Sequence, residues 1–501
     1  MSLSRNLLAG LANSIWTALI GLAVVPLYLK YLGIEAYGLI GFFTTTQALL
    51  SLLDMGLAPT MNREIARCSA SGLMSEARNL LYTLSRVYWG MAVVIAIATA
   101  ILSRTIGNHW LQSNTFSEQE IAEAILLMGL VIASRWPIGI YQGALMGAQR
   151  VAVSSAVSIV MVTISNLGGV AVLAYVSPTI QAFFIWQAIV GLVYAITMHV
   201  VVWRVIASEQ NQKLRFDTKA LQGTWRFTAG MSAIAILGIV FTQMDKIMLS
   251  KMLTLEDFGY YVLASIVVSG LSMIIMPFYN VLYPRFTALV TQGETKKLVD
   301  IYRYSTQILV TILFPAALFL AAFSEPLISV WTGNATVAAQ VSILVTPLAL
   351  GSALHGVMFI PHALQLASGV ARLPLIINSI LMIAYVPVVI TLTLSRGAYG
   401  GAIAWLVLHV FYVLLGTWLT HRRLLKGIGA IWLLKDVGIP LLISIAAGLL
   451  GSFAFQATTS STKLGYGFAL TIATLILIAL TSSRLRTVFW KNTYLKWTQV
   501  M

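Results

Sequence analysis

Arg135 stands near the middle of an apolar run, 121–147, long enough to cross a bilayer, which takes about 20 such residues. A charge at that depth costs roughly 3 kcal/mol on insertion scales, so the guanidinium must face a cavity or a partner. Arg135, Gly139, Gly143 and Gly147 recur every four residues and share one helical face, with Gln142 beside them. Small residues at that spacing admit a neighbouring helix closely. Pro137 interrupts the backbone hydrogen bonding one turn before the ladder continues. A buried cation, a kink and a glycine face describe a helix lining a polar path. The other reading of Arg135 is structural, with the guanidinium paired to a carboxylate or to carbonyls.

Few other ionisable residues lie inside apolar runs. Asp54 and Arg86 sit at comparable depth in runs of opposite direction, so depth allows them to pair; a buried ion pair and a gate or proton site are both consistent with this. Asp245 and Lys246 are neighbours whose side chains diverge by about 100° on a helix, so they need not pair with each other. Lys246 is near a span end, where it can snorkel, and Asp245 is a candidate for coupling to a proton or sodium gradient. His355 and His362 are seven residues apart and share a face with Phe359; each is either a packing residue or a group lining a cavity. Trp136, Tyr141, Tyr279 and Tyr283 suit lining a cavity or anchoring at the membrane interface. No constellation reads as catalytic or metal-binding, and one cysteine, Cys68, leaves no disulfide framework.

These residues need membrane helices to hold them. The 501 residues are 59% hydrophobic and 9% charged, with mean hydropathy +0.88, against about 25% charged in soluble domains. Fourteen apolar windows of helical length follow one another from 6–29 to 465–483, which describes an all-α polytopic membrane protein and excludes an alternating β-barrel. With the N-terminus in the cytoplasm, twenty-three of the 31 Lys and Arg fall in inner ends and loops and five in outer loops. That bias puts both termini in the cytoplasm and accounts for the net charge of +15 without nucleic acid.

Residues 207–223 form a polar cytoplasmic linker between two six-helix lobes, 1–206 and 224–420; 421–501 adds a helix pair, whose two spans hold no deep charge, and a basic tail. Leu32-Gly33-Ile34-Glu35-Ala36-Tyr37-Gly38 resembles Leu253-Thr254-Leu255-Glu256-Asp257-Phe258-Gly259, and the segment 144–152 matches 363–371 at five of nine positions. The offsets are 221 and 219, so the lobes read as parallel repeats with a substrate site between them. The same offsets carry Arg135 to either side of His355.

The stretch from Thr242 to Pro284 has an Asp-Lys pair ending a span, then an acidic, aromatic, Gly-Tyr-Tyr loop, and Val-Leu-Tyr-Pro closing the next span. With Pro26 to Arg67 and Pro137 to Arg150, it resembles the Wzx-type O-antigen and polysaccharide repeat-unit flippases. These belong to the polysaccharide-export branch of the multidrug/oligosaccharidyl-lipid/polysaccharide exporter superfamily. The resemblance covers nearly the whole chain. It implies a MATE-like fold in the bacterial inner membrane and transport of an undecaprenyl-diphosphate-linked oligosaccharide by alternating access. Membrane lipids and the polymerase and chain-length machinery are the implied partners. On this view Arg135, Arg86, Gln142, His355 and His362 line the substrate cavity, and Asp54, Asp245 and Lys246 are coupling or ion-pair candidates.

Two rivals remain. A multidrug antiporter wants carboxylates for organic cations, whereas here Asp54 and Asp245 face Arg86, Arg135 and Lys246. A membrane glycosyltransferase or polymerase needs large outer loops, and the longest is 104–120. No Gly-Lys-Ser/Thr phosphate loop is present, so ATP is not expected as a cofactor. Alkaline phosphatase fused after Met501 should be inactive and fused within 104–120 active; the opposite pattern would reverse the orientation.

Overall fold

The computed structural model describes residues 3–54, 56–206, 214–216, 236, 238–370, 372–454, 460–482 and 484–486; most of the 207–223 linker and the tail from 487 lie outside them. The described residues are helical apart from turns and one isolated bridge between Gln112 and Thr254. In chain order the helices are α1 (Leu3–Leu50), α2 (Leu57–Ser71), α3 (Met74–His109), α4 (Glu118–Arg135), α5 (Ile138–Gly147), α6 (Val151–Tyr175) and α7 (Ile180–Val205). They continue with α8 (238–252), α9 (Leu255–Ser269), α10 (Ser272–Thr291), α11 (Thr295–Thr332), α12 (Ala335–Val357), α13 (Phe359–Ala367) and α14 (Arg372–Arg423). A short turn, α15 (Gly429–Ile431), leads into a π-helical stretch (Trp432–Gly438), then α16 (Ile439–Ala454) and α17 (Ser460–Thr481).

Eleven stretches among the described residues are long and apolar enough to cross a membrane. Two of them are too long to be single spans. At 1.5 Å per residue, the 48-residue α1 would run far beyond a hydrocarbon core of about 30 Å. Each turns at a glycine whose positive φ other residues rarely adopt: Gly33 (φ 80°) in α1 and Gly397 (φ 58°) in α14. Counting both halves, together with α8 as the described part of the seventh span, gives the fourteen-span, multi-pass membrane architecture that hydropathy leads one to expect.

The chain packs as two compact units, Met1–Gly259 and Tyr260–Met501. Corresponding helices begin 221 residues apart: α3 and α11 at 74 and 295, α5 and α13 at 138 and 359, α6 and α14 at 151 and 372. The internal repeat is therefore structural. Both copies break the same span. Pro137, with no N–H to donate, separates α4 from α5, and the chain breaks again at Met358, three residues before Pro361. The eighth span is broken elsewhere than its prolines suggest. Pro277 and Pro284 lie inside α10, and the interruption falls at Gly270 and Leu271.

In the first unit the repeated Glu-containing motif meets its own copy. A Cβ on Gly38 would lie 2.2 Å from the Leu255 carbonyl oxygen, and one on Gly259 would lie 2.4 Å from that of Ile34. Ile34 and Gly38 correspond to Leu255 and Gly259 at the 221-residue offset, so the contact is self-complementary. Backbone touches backbone here, and only glycine fits. Glu35 accepts from Ser113 Oγ (2.6 Å) and the Asn114 N–H (2.8 Å), tying the 110–117 loop to the same corner.

In the second unit the closing helix pair packs on α11, and here the structure corrects the sequence reading. Asp436, at the margin of a span expected to hold no deep charge, is fully buried. Arg303 clasps it with both arms, Nε to Oδ2 at 2.6 Å and Nη2 to Oδ1 at 2.9 Å, and Gln307 Nε2 donates to Oδ1 at 2.6 Å. Trp432 Nε1 bonds Thr306 Oγ1 at 2.9 Å, and Arg484 bridges to Asp300 at 2.8 Å. A span-end charge is expected to reach water, but the π-helical turn points Asp436 inward at α11. Asp436→Ala leaves Arg303 uncompensated and should lower stability by about 3–5 kcal/mol, while Arg303→Met with Asp436→Leu should recover at least half. Thermal unfolding in detergent, followed by tryptophan fluorescence, measures both.

Candidate functional site

Arg135 is the last residue of α4, where free carbonyls and the helix dipole favour a cation. Its Nη2 donates to Gln187 Oε1 on α7 and, at 3.2 Å, to Ser165 Oγ on α6. Gln187 and Ser165 are buried and bonded to each other, and Gln187 Nε2 also reaches the Ser165 carbonyl at 3.3 Å. On the same two helices, Tyr28 donates to the carbonyl of Asn166, next to Ser165 (3.3 Å), and packs edge-on to Phe183, one turn from Gln187. Among the described residues, no carboxylate pairs with Arg135; its partners are neutral. A guanidinium has five N–H donors, and Gln187 and Ser165 are the hydrogen-bond partners it has among the described residues. The full positive charge is held in place but not cancelled.

The glycine ladder divides into two parts. Gly143 and Gly147 press on α2, where a Cβ would lie 2.4 Å from the Ala58 and 2.3 Å from the Asn62 carbonyl oxygen, while Gly139 next to Arg135 has nothing within 4 Å. Gln142 Nε2 donates to Tyr194 OH at 3.1 Å. Tyr141 is fully buried, bonded to Trp89 Nε1 (3.0 Å) and His199 Nδ1 (2.9 Å), which removes it from the aromatics open to a sugar. Trp136 is half-buried against Tyr88.

Two pairings that position along the chain left open take definite partners. Asp54, on a 3-10 turn (Ser51–Asp54), accepts from Tyr88 OH, whereas Arg86 is exposed with its guanidinium 4.7 Å from the Tyr82 ring centre. Residues 86 and 88 point to nearly opposite sides of α3, so equal depth did not make Asp54 and Arg86 partners. Asp245 and Lys246, expected to diverge, form an ion pair at 3.3 Å. The four-carbon lysine stem bends back across the 100° between them, because a buried carboxylate close by is worth more than a reach to the interface.

The second unit gathers imidazoles one residue from the positions that the 221-residue offset gives for Arg135 and Gln187. His355 lies 4.7 Å from His409, 5.2 Å from Phe359 and 6.0 Å from Tyr412, ring centre to ring centre. His409 Nδ1 bonds the Trp405 carbonyl at 2.8 Å. His362 stacks on Tyr279, which also meets Phe359 edge-on and stacks on Tyr283. Gln187 and His409 are 222 residues apart, as are His199 and His421, and His421 Nε2 bonds Tyr302 OH at 3.1 Å. Gln187, Ser165, His409 and Asp436 escape the sequence reading. The available signal was polarity inside an apolar span, read at both repeats together.

A profile of polysaccharide biosynthesis proteins matches residues 30–341, more than half of the chain. The chain belongs to this family. The matched stretch holds Arg135 with its partners and the Gly38–Gly259 contact; His355, His362 and Asp436 lie beyond it. No curated protein matches the sequence. Among solved structures, the chain is similar to the inward closed conformation of the lipid II flippase MurJ. The TM-score is 0.69 at 15% identity, over 97% of this chain and all of that one. It is also similar to an inward-facing multidrug resistance MATE transporter of the MOP superfamily (0.64, 13%, 81% and 95%). A MOP superfamily transporter from Pyrococcus furiosus matches at 0.54 and 13%, over 84% and 94%. The fold of this family member is thus that of the MurJ and MATE transporters. Within it, Gln187→Leu strips an acceptor from a charged donor and should cost about 1.5–3 kcal/mol. Arg135→Met, which removes the charge itself, should cost less; thermal unfolding that ranks them the other way would show Arg135 to be mainly a structural tie.

Proposed function

We propose that this protein moves a polyprenyl-diphosphate-linked oligosaccharide across the bacterial inner membrane from the cytoplasmic to the outer leaflet. The observation that carries the reading is the uncancelled guanidinium of Arg135, oriented deep in the bundle by a neutral amide and a hydroxyl. A diphosphate cannot enter hydrocarbon alone, and guanidinium pairs with phosphate oxygens in a forked, charge-assisted geometry. Within the second unit, His355 and His409 stand one residue from the repeat equivalents of Arg135 and Gln187 and supply polar chemistry of their own. Family membership points to polysaccharide biosynthesis, and the similar MurJ structure is described as a lipid II flippase.

The chain acts as a transporter in this reading, with no enzymatic step and no ATP. The Arg135 site is exposed alternately to the two faces, and the polyprenyl tail stays among membrane lipids. Arg86, Gln142 and His362 are secondary candidates for the glycan path. Coupling to a proton or sodium gradient falls to Asp54 or to the Asp245–Lys246 pair, and the polymerase and chain-length machinery takes over the product. The multidrug antiporter reading is weaker because the two deep carboxylates the sequence offered already have partners, Tyr88 for Asp54 and Lys246 for Asp245.

Cells lacking the gene should accumulate lipid-linked glycan on the cytoplasmic leaflet, reversed by the wild-type gene. Arg135→Ala should lower export more than about tenfold at normal expression, the loss of a charge-assisted contact, with partial rescue by Arg135→Lys. Unchanged lipid-linked pools together with new sensitivity to cationic drugs would overturn the reading in favour of the antiporter.

A further inference from the structure

We infer that Tyr279, Tyr283, His362 and Asn280 form a sugar-binding platform that takes pyranose rings of the glycan; the inference rests on the transport reading above. Tyr279 and Tyr283 are one helical turn apart on α10, their rings 6.1 Å apart and within 4° of parallel. His362 on α13 lies 6.1 Å from Tyr279 at 20°, so three nearly parallel rings make a stacked column around Tyr279. Phe359 meets Tyr279 edge-on at 5.8 Å and fixes its tilt. Tyr283, at the end of the column, is 40% exposed.

The surface beside the column is mixed, with exposed Met273 and Met276 toward one end of the same face and polar groups toward the other. Asn280, Tyr283, Thr287 and Thr291 follow one another at three- and four-residue spacing, so they share one face of α10, and all four are exposed. The two threonines return their hydroxyls to the backbone of their own helix, at 2.9 Å and 2.8 Å. The Asn280 amide makes no hydrogen bond among the described residues. An amide left bare in hydrocarbon costs several kcal/mol, so this end of the face meets water or a polar ligand.

A pyranose has one face of C–H groups and a rim of hydroxyls. The C–H face suits the negative π-face of a tyrosine, and the rim suits an amide and phenol that both donate and accept. Tyr283 provides the platform and Asn280, on the same side of α10, provides the polar contact. Tyr279, His362 and Phe359 hold the platform rigid. The diphosphate needs neither group, so this cluster discriminates between glycans.

The test uses the full chain in cells that export the polymer. A p-benzoylphenylalanine incorporated at Tyr283 and irradiated should give an adduct whose mass contains sugar as well as phosphate. Tyr283→Ala and Asn280→Ala should each lower export roughly three- to tenfold, with Tyr283→Phe and Tyr283→Trp close to wild type. Thermal stabilisation of the purified chain by farnesyl diphosphate, a head group without sugar, should be unchanged in Tyr283→Ala. Adducts with phospholipid alone would make Tyr283 an interfacial anchor and overturn the platform. So would wild-type export by both alanine variants in a strain where Arg135→Ala fails, and that result leaves the transport reading standing. An unchanged lipid-linked pool on gene deletion would instead remove the transport reading itself.

Discussion

A polar group left without a partner in hydrocarbon is so costly that it governs almost every feature of this chain. The backbone answers by forming helices throughout the described residues, since only internal hydrogen bonds are available at that depth. Side chains answer in pairs and small clusters. Arg303 and Asp436 cancel each other's charge, Asp54 takes a phenol, and Asp245 takes its lysine neighbour. Arg135 is different, since it is positioned by Gln187 and Ser165 without being neutralised. Among the described residues, the deep charge of Arg135 is thus held by neutral groups, while Arg303, Asp436, Asp245 and Lys246 lie in ion pairs.

The internal repeat turns one such solution into two related ones. Each unit breaks the same span, and each places polar side chains from its repeat-equivalent helices beside that break. The first uses a guanidinium and an amide, the second two imidazoles ringed by aromatics. The repeat also explains the contact at Gly38 and Gly259. A motif that can approach its own copy only through bare backbone needs glycine in both copies. Read separately, the two glycines are ordinary helix positions; read together they are the two sides of one contact.

Much of the architecture was legible because it depends on local quantities. Fourteen apolar windows and the internal repeat follow from composition and spacing along the chain. The site was legible only in part. Arg135 was conspicuous, since a cation in an apolar run stands out whatever surrounds it. Gln187 and Ser165 were not, because a lone amide or hydroxyl in a span is common and its importance lies 52 and 30 residues away from itself. Asp436 was misread for a related reason: position along the chain placed it at a span end, and the π-helical turn that aims it inward is a matter of packing.

By itself, then, the sequence determined that this is a repeated, many-span membrane protein with an arginine where lipid would otherwise be. Its hydrophobic periods specify which residues lie in helices, and helices in a bilayer need no information from distant segments to form. The tertiary structure decided which polar groups meet. Equal depth suggested Arg86 for Asp54, but helix rotation supplied Tyr88; adjacency suggested that Asp245 and Lys246 part, but burial joined them. Rotation about a helix axis moves a side chain by 100° per residue, and only the packed neighbours set where that rotation comes to rest.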